Sequence, residues 1–314
     1  MTSEPKVVLV TGASSGIGRA AVVQAAAAGH HVVLVARGRN ALESAADEAR
    51  AAGAASVLVV PADVGSDAEV ASCFAEVSTR HGGLDAVIHA AGVVAYGRTE
   101  EVPPDVFEGV LRTNVVGSVN VSRHAVRWFR EQEHGTLVLI GSVIGHIAVP
   151  TMSPYVVSKW GVRALARQLQ IENRDLRHVH VSYVAPGGVD TPIYQQAATY
   201  DGFLGRPPPP VDSPEKVAGA ALRQLRHSRK RTQVGLANGV MRFGFSAMPG
   251  VFDVLVGPLF RLAALDGTRP VEPTPGNVLE SQESRNALRG TASGLVRGVA
   301  ANVKAGLSGS RSSR

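Results

Sequence analysis

Cysteine is almost missing from this chain: 314 residues contain one, Cys73. A lone thiol closes no intramolecular disulfide and builds no thiolate metal cage. That excludes a disulfide-stapled secreted domain, leaves no metal centre to expect, and predicts a reducing, cytoplasmic setting. Aromatic residues are also scarce at 5%. The basic end of the chain holds no tryptophan or tyrosine that could stack on bases, so a nucleic-acid partner is not expected. No apolar run is clean enough to span a bilayer. The best stretch, Phe243 to Phe260, carries Asp253, Pro249, Pro258 and three glycines. The opening residues have no cationic start or apolar leader, since Glu4 and Pro5 lead straight into Lys6-Val7-Val8-Leu9-Val10, which predicts a buried strand.

What is present is globular: 45% hydrophobic and 18% charged residues, at a length that suits one large domain or two small ones. The net charge of +6 is unevenly placed. Residues 1–210 hold 17 Lys and Arg against 19 Asp and Glu, whereas residues 211–314 hold 15 against 7. Any electrostatic argument about a polyanion therefore concerns the last third only.

Up to about residue 190, short apolar runs alternate with helical patterns, as in a parallel sheet covered by helices. The strand candidates are Val7 to Val10, Val32 to Ala36, Val57 to Val60, Ala86 to His89, Leu137 to Ile140 and Val179 to Val184, with Thr232 to Gly235 as a last one. Helices are predicted over Ile17 to Ala28, Asn40 to Ala52, Asp67 to Arg80, Pro104 to Arg130 and Pro154 to Arg177. Gly29 and Gly53 stand where left-handed C-caps belong, and Ser153-Pro154 reads as an N-cap followed by proline at the first helical position. A loop or lid is expected around 193–213, then a helix from Ser213-Pro214-Glu215 to about His227. The fold class is α/β, a doubly wound parallel sheet of about seven strands with helices on both faces. Residues 1–235 are expected to form one domain, the 193–213 loop included. Residues 236–314 form an extension, partly apolar and helical, whose Pro- and Gly-rich 266–277 and Ser-, Gly-, Ala- and Arg-rich 281–314 predict a loose end.

The first strand runs into Thr11-Gly12-Ala13-Ser14-Ser15-Gly16-Ile17-Gly18, and a helix follows at once. Glycines in this position let the backbone turn tightly and approach a pyrophosphate, whose charge then meets free amides at a helix N-terminus. The TGxxxGxG spacing resembles the compact branch of the short-chain dehydrogenase/reductase family. The resemblance is strengthened downstream by Tyr155-Val156-Val157-Ser158-Lys159, a YxxxK pair, with Ser142 thirteen residues before the tyrosine and Asn114 further back. It covers residues 6 to about 192 and implies a Rossmann-type NAD(P)-binding fold.

The resemblance implies a site of four residues, Asn114, Ser142, Tyr155 and Lys159. Four residues apart on one helix, Tyr155 and Lys159 share a face, so the ammonium is expected to lower the phenol from about 10 toward physiological pH. Ser142 would hold the substrate oxygen by hydrogen bond while hydride moves to or from the neighbouring carbon. By family analogy, Lys159 also contacts the nicotinamide ribose and Asn114 positions a water for proton relay. The cofactor would lie on Gly12, Ser14, Ser15, Gly16, Ile17 and Gly18. Asp63-Val64 match the family's adenine-contacting pair, Ala91 and Gly92 flank the adenine ribose, and the turn of Pro186, Gly187, Val189 and Thr191 binds the carboxamide. At the end of the second strand no acid is present to bind a ribose 2′-hydroxyl; Ala36 is followed by Arg37, then Arg39, so NADP(H) is favoured over NAD(H). One departure stands out: where the family has Asn-Asn-Ala-Gly this chain reads His89-Ala90-Ala91-Gly92, and His89 is read as a core or strand-end histidine.

The segments that select a substrate offer Val94, Tyr96, Ile144, Ile147, Val149, Met152, Ile193, Tyr194, Tyr200, Phe203 and Leu204, which predicts an apolar or lipid-like small-molecule alcohol or ketone. Arg98 and Arg206 leave a carboxylate or phosphate as the alternative. In the extension, the run Arg226-His227-Ser228-Arg229-Lys230-Arg231 precedes an apolar stretch. That pairing could make peripheral contact with an anionic membrane surface, but the preferred reading is a solvated helix end followed by a dimer-forming or lid segment. The family implies a homodimer or homotetramer. The alternatives to an oxidoreductase are a catalytically silent nucleotide sensor and a membrane-surface binder on the same fold.

Overall fold

Valine-rich runs bounded by glycine turns form the central strands. A computed structural model of the chain describes residues 4–290. Seven parallel strands make the sheet: β1 (Val7–Thr11), β2 (His31–Ala36), β3 (Ser56–Pro61), β4 (Ala86–His89), β5 (Gly135–Ile140), β6 (Val179–Pro186) and β7 (Arg231–Val234). Their order is β3-β2-β1-β4-β5-β6-β7, so the winding reverses between β1 and β4. This is a Rossmann-type doubly wound sheet.

Both faces are covered, which is why the strands are apolar throughout rather than alternating. On one face Val8, Val10, Val32 and Leu34 pack against the alanine-rich sides of α1 (Gly16–Ala27) and α2 (Arg39–Ala52). Arg19 ties these two helices together through Glu48 and Ser44. On the other face, Leu9, Val33 and Val35 meet Val70, Phe74 and Val77 of α3 (Asp67–His81). Burying each such side chain contributes roughly 1.5–3 kcal/mol.

The helix expected over Pro104 to Arg130 is interrupted. Helix α4 (Pro104–Leu111) passes through a π-helical turn at Arg112–Val116 into α5 (Gly117–Glu131), and Asn114 sits in that turn. Helix α6 (Ser153–Glu172) also departs from expectation at both ends. Ser153 is its first helical residue, not its cap, because its hydroxyl lies 2.5 Å from Thr99 Oγ1 and serves no helix N–H. The helix stops before Arg177 because Asn173 folds its amide back onto the Leu169 carbonyl and accepts from Arg130. The predicted left-handed glycine at Gly53 is present, with φ of 100°, at the end of α2.

Residues 193–213 do not hang as a free loop, since three short ladders fasten them. Ala198–Thr199 pair with Ala95–Tyr96, Val211–Asp212 with Gly188–Val189, and Phe203–Gly205 with Leu265–Pro270. Helix α7 (Pro214–Leu222) follows, with Ser213 as its N-cap accepting from Lys216 N–H.

The extension starts with α8 (Asn238–Ala247) and α9 (Pro249–Ala264), which leave Val240, Phe243, Val251, Val254 and Leu259 exposed, as is Leu236 just before them. Among the described residues no helix is long and apolar enough to cross a membrane. Residues 265–290, part of the stretch where composition predicts a loose end, have defined contacts. Leu265–Pro270 is a strand, and the residues after it run back over the open end of the sheet, held by backbone bonds whatever their side chains. The remainder of that expected loose end, residues 291–314, lies outside the described residues.

Candidate active site

At the point where the winding reverses, β1 and β4 feed connections on opposite sides, and a cleft opens beyond their C-terminal ends. Its floor is the turn after β1. Gly12 has φ of 67°, and a Cβ there would stand 2.8 Å from the Ala91 nitrogen. A Cβ on Gly18 would lie 2.2 Å from the Gly12 carbonyl oxygen, so only glycine lets α1 start this close to the strand. Ser14, Ser15, Gly16 and Ile17 line the cleft together with Arg37, Asp63, Val64, Ala91, Gly92 and Thr191. The residues present thus fit a dinucleotide: a side-chain-free cradle facing a helix N-terminus, with an arginine at the far end.

His89 is a buried strand-end residue, as expected. The Thr11 hydroxyl accepts from Ala91 N–H at 3.2 Å and lies 2.8 Å from His89 Nδ1, clamping the ends of β1 and β4 together. Burial and then the Lys159 charge push the imidazole down to about 3, so the ring stays neutral.

The four residues singled out for chemistry come together beside this cleft. Ser142 follows β5, its Oγ accepts from Ile144 N–H at 3.2 Å, and it stands close enough to the Tyr155 phenol to exert a lowering effect on it. Asn114 is fully engaged: its amide donates to the Val93 carbonyl and to Ser158 Oγ, both at 2.9 Å, and its Oδ1 accepts from Val93 N–H. Lys159 Nζ donates to the Ile140 carbonyl at 3.1 Å and lies 5.6 Å from the centroid of the Tyr155 ring. A Cβ on Gly92 would be 3.3 Å from Asn114 Oδ1 and 3.7 Å from Lys159 Nζ, which brings the cofactor cradle and the side-chain cluster to one place.

The electrostatics correct one expectation. The Tyr155 phenol is not drawn toward neutrality; burial pushes it up to about 12, against the lowering effect of its bond with Ser142. The ammonium that was expected to lower it is held by the Ile140 carbonyl, and burial pulls that group down to about 8. At pH 7 the folded state therefore carries a buried cation at a cost. Between about 8 and 10.5 the unfolded chain holds a proton that the folded chain has released, so stability rises with pH across that window. Lys159→Met is accordingly expected to raise the thermal midpoint at pH 7 by about 2–5 °C, with the advantage shrinking above pH 8. Thermal unfolding followed by circular dichroism at pH 7 and 9.5 checks this.

The family model described as short chain dehydrogenase matches residues 6–201. The chain belongs to the short-chain dehydrogenase family. Among curated relatives, the D-beta-hydroxybutyrate dehydrogenase of Rhizobium meliloti is 30% identical over 192 residues, 61% of this chain and 74% of that protein. The 3-ketodihydrosphingosine reductase of Bos taurus is 28% identical, with 82% of each chain covered. Among solved structures, an alcohol dehydrogenase from Thermococcus sibiricus complexed with 5-hydroxy-NADP superposes with a TM-score of 0.64 at 29% identity, covering 74% of this chain and 96% of the other.

In this short-chain dehydrogenase several residues around the site gave no signal in the sequence. Tyr183 on β6 donates its hydroxyl to the Ser142 carbonyl and accepts from Ser142 N–H, holding that residue from behind. Asn277, Ser281, Gln282 and Asn286, from the extension, wall the cofactor cleft. Two charged residues kept open as substrate ligands are committed elsewhere. Arg206 donates to the Leu262 and Ala263 carbonyls at the C-terminal end of α9, and Arg98 pairs with Glu100. Tyr155 packs against a mainly apolar cluster that includes Val94, Tyr96 and Met152, and Ile193, Tyr194 and Phe260 pack against the same cluster. The turn of Pro186, Gly187 and Val189 lies alongside, with Val189 paired to Asp212 and Thr191 packed against Gly16.

Proposed function

We propose that this chain is an NADP(H)-dependent oxidoreductase that interconverts a secondary alcohol and a ketone on an apolar small molecule. The observation that carries the reading is the meeting of Tyr155, Ser142 and Lys159 beside the cleft floored by Gly12 to Gly18. The nicotinamide supplies or accepts the hydride when the cofactor is bound. Gly12, Ser14, Ser15, Gly16, Ile17 and Gly18 would hold its pyrophosphate. Asp63, Val64, Ala91 and Gly92 would hold the adenosine part, and Pro186, Gly187, Val189 and Thr191 the carboxamide. Ser142 Oγ fixes the substrate oxygen. Tyr155 Oη gives that oxygen its proton in reduction and takes it back in oxidation. Lys159 would contact the nicotinamide ribose, and Asn114 would order the proton relay behind Tyr155.

A ring of apolar side chains around Tyr155, with Arg98 and Arg206 engaged elsewhere, supports an uncharged substrate end. The bovine relative's name, a keto-compound reductase, is in line with that. The cofactor preference rests on Arg37 at the end of β2, where no acid stands, and the Thermococcus sibiricus structure with an NADP derivative supports it. Arg37→Asp is expected to raise the Kd for NADPH about 30-fold and to change that for NADH less than about threefold. Fluorescence titration with both dinucleotides measures this, and equal loss of both would defeat the preference. The reading as a whole is tested by NADPH absorbance with a panel comprising a steroid, a long-chain aldehyde and a 3-oxoacyl thioester. A homo-oligomer in a cytoplasmic setting completes it. A second reading attaches to the extension alone, where the exposed apolar side chains of α8 and α9 follow the basic run 226–231 and favour contact with a membrane surface.

A further inference from the structure

The last described segment crosses the mouth of the dinucleotide cleft, and its acceptors sit on the donors that the cleft would offer an anionic ligand. The Ala287 carbonyl accepts from Gly16 N–H at 2.9 Å and from Ser15 Oγ at 3.1 Å, at the N-terminus of α1. The Asn277 carbonyl accepts from Arg37 Nη2 at 2.7 Å. Glu283 Oε2 accepts from Ala41 N–H at 3.0 Å in the first turn of α2, and its carboxyl carbon lies within 2.3 Å of where a Cβ on Gly38 would be. Asn286 donates to Ser14 Oγ at 3.3 Å. Under this cover the cleft encloses about 160 Å³, less than the roughly 300–1,000 Å³ of small-molecule sites.

We propose that residues 277–289 are an intramolecular stand-in for the dinucleotide, and that Glu283 is the residue a ribose 2′-phosphate must displace. The proposal rests on the reading that this cleft takes NADP(H). A single N–H has one hydrogen, so Gly16 cannot serve the Ala287 carbonyl and a pyrophosphate oxygen together. Two anions at the N-terminus of α2 would repel each other where one is stabilised. The strap is therefore a competitor and not a cover laid over bound cofactor. NADP(H) has to clear the Glu283 seat, whereas NAD(H), which lacks the phosphate, does not. That makes Glu283, far from the glycine turn in sequence, a determinant of cofactor preference alongside Arg37.

The strap is built to leave. Its root is pinned by the Thr199–Thr274 bridge, the bonds of Asn277 to Gln196, and the buried Val278. Beyond that point, apart from the bonds it makes to the cleft itself, Gln196 Nε2 donates to Asn286 Oδ1 at 2.8 Å, Leu288 packs against the core only in part, and Arg285 and Arg289 make exposed bonds to the Gln195 carbonyl and Glu215. Segments held this way open at low cost.

Hydrogen exchange of the full chain with and without NADPH, alongside dinucleotide titrations of Glu283→Gln, tests the proposal. NADPH is expected to protect amides of residues 12–18 and to deprotect those of 281–290. Glu283→Gln is expected to tighten NADPH binding roughly tenfold and NADH binding less than about threefold. Protection of 281–290 on adding NADPH, or an unchanged or weakened NADPH affinity in Glu283→Gln, overturns the stand-in while leaving the cofactor reading intact. No protection of residues 12–18 by either dinucleotide, in either protein, overturns the cofactor reading and the strap proposal with it.

Discussion

Replacing Tyr155 by phenylalanine is expected to lower kcat about a thousandfold while the Kd for NADPH stays within about twofold. The change removes one oxygen. The ring remains among Val94, Tyr96, Met152 and Ile193, so packing is conserved, and the floor of the cofactor cleft is untouched. What is lost is the hydroxyl that stands beside Ser142 and near the Lys159 charge. Because burial holds the phenol up to about 12, the group is protonated at neutral pH and ready to donate to a carbonyl oxygen. Steady-state rates with the best substrate from the ketone panel, set against NADPH titration, check the two halves separately. Residual turnover within tenfold of the parent would remove Tyr155 from the proton step.

The second large effect concerns the floor. Gly18→Val is expected to destabilise the fold by about 3 kcal/mol and to weaken NADPH binding at least 100-fold, because the added carbons run into the Gly12 carbonyl oxygen and the Ala13 nitrogen, which are backbone and cannot swing aside. Helix α1 must then lift from the strand, and its free amides lift with it. Gly83→Ala serves as the control, since a Cβ there meets nothing within 4 Å. Thermal unfolding and NADPH titration of the two variants would show the contrast, and a Gly18→Val protein with the parent's midpoint and affinity would defeat the account.

Both residues could be found in the sequence because their signals are local. Gly12 to Gly18 sit between an apolar run and a helical one, and Tyr155 and Lys159 lie one helical turn apart. The strand runs were equally plain, since a sheet buried on both faces needs valine at every position, as in Val7 to Val10. What stayed hidden acts at long range or through backbone. Ala287 and Asn277 reach Gly16 and Arg37 by their carbonyls, which every residue has, across 271 and 240 positions. Glu283 looked like one more charge in a polar end. Tyr183 could not be told from a core aromatic, and it became recognisable only once β6 lay beside β5. The behaviour of the Tyr155 phenol is hidden from the sequence for a related reason. The spacing to Lys159 is a local fact, while the burial that outweighs it comes from the cluster that the fold assembles from Val94, Tyr96, Met152 and Leu265.

The π turn at Arg112–Val116 has a mechanical meaning for the rod that contains it. A five-residue loop of hydrogen bonding inserts one residue into the ordinary count, and one residue is about 100° of rotation. Upstream of the slip, Val106 and Val110 point into a small cluster with Val102 and Val278; downstream, Val121, Ala125 and Phe129 point into the sheet. One continuous rod is thereby indexed to two cores that do not share a direction, with Asn114 at the step. A one-residue deletion there would alter no side-chain type at Val106 or Val110, yet would turn them away from Val278, at the root of the segment that crosses the cleft. In this stretch the chain specifies its geometry by counting as much as by chemistry.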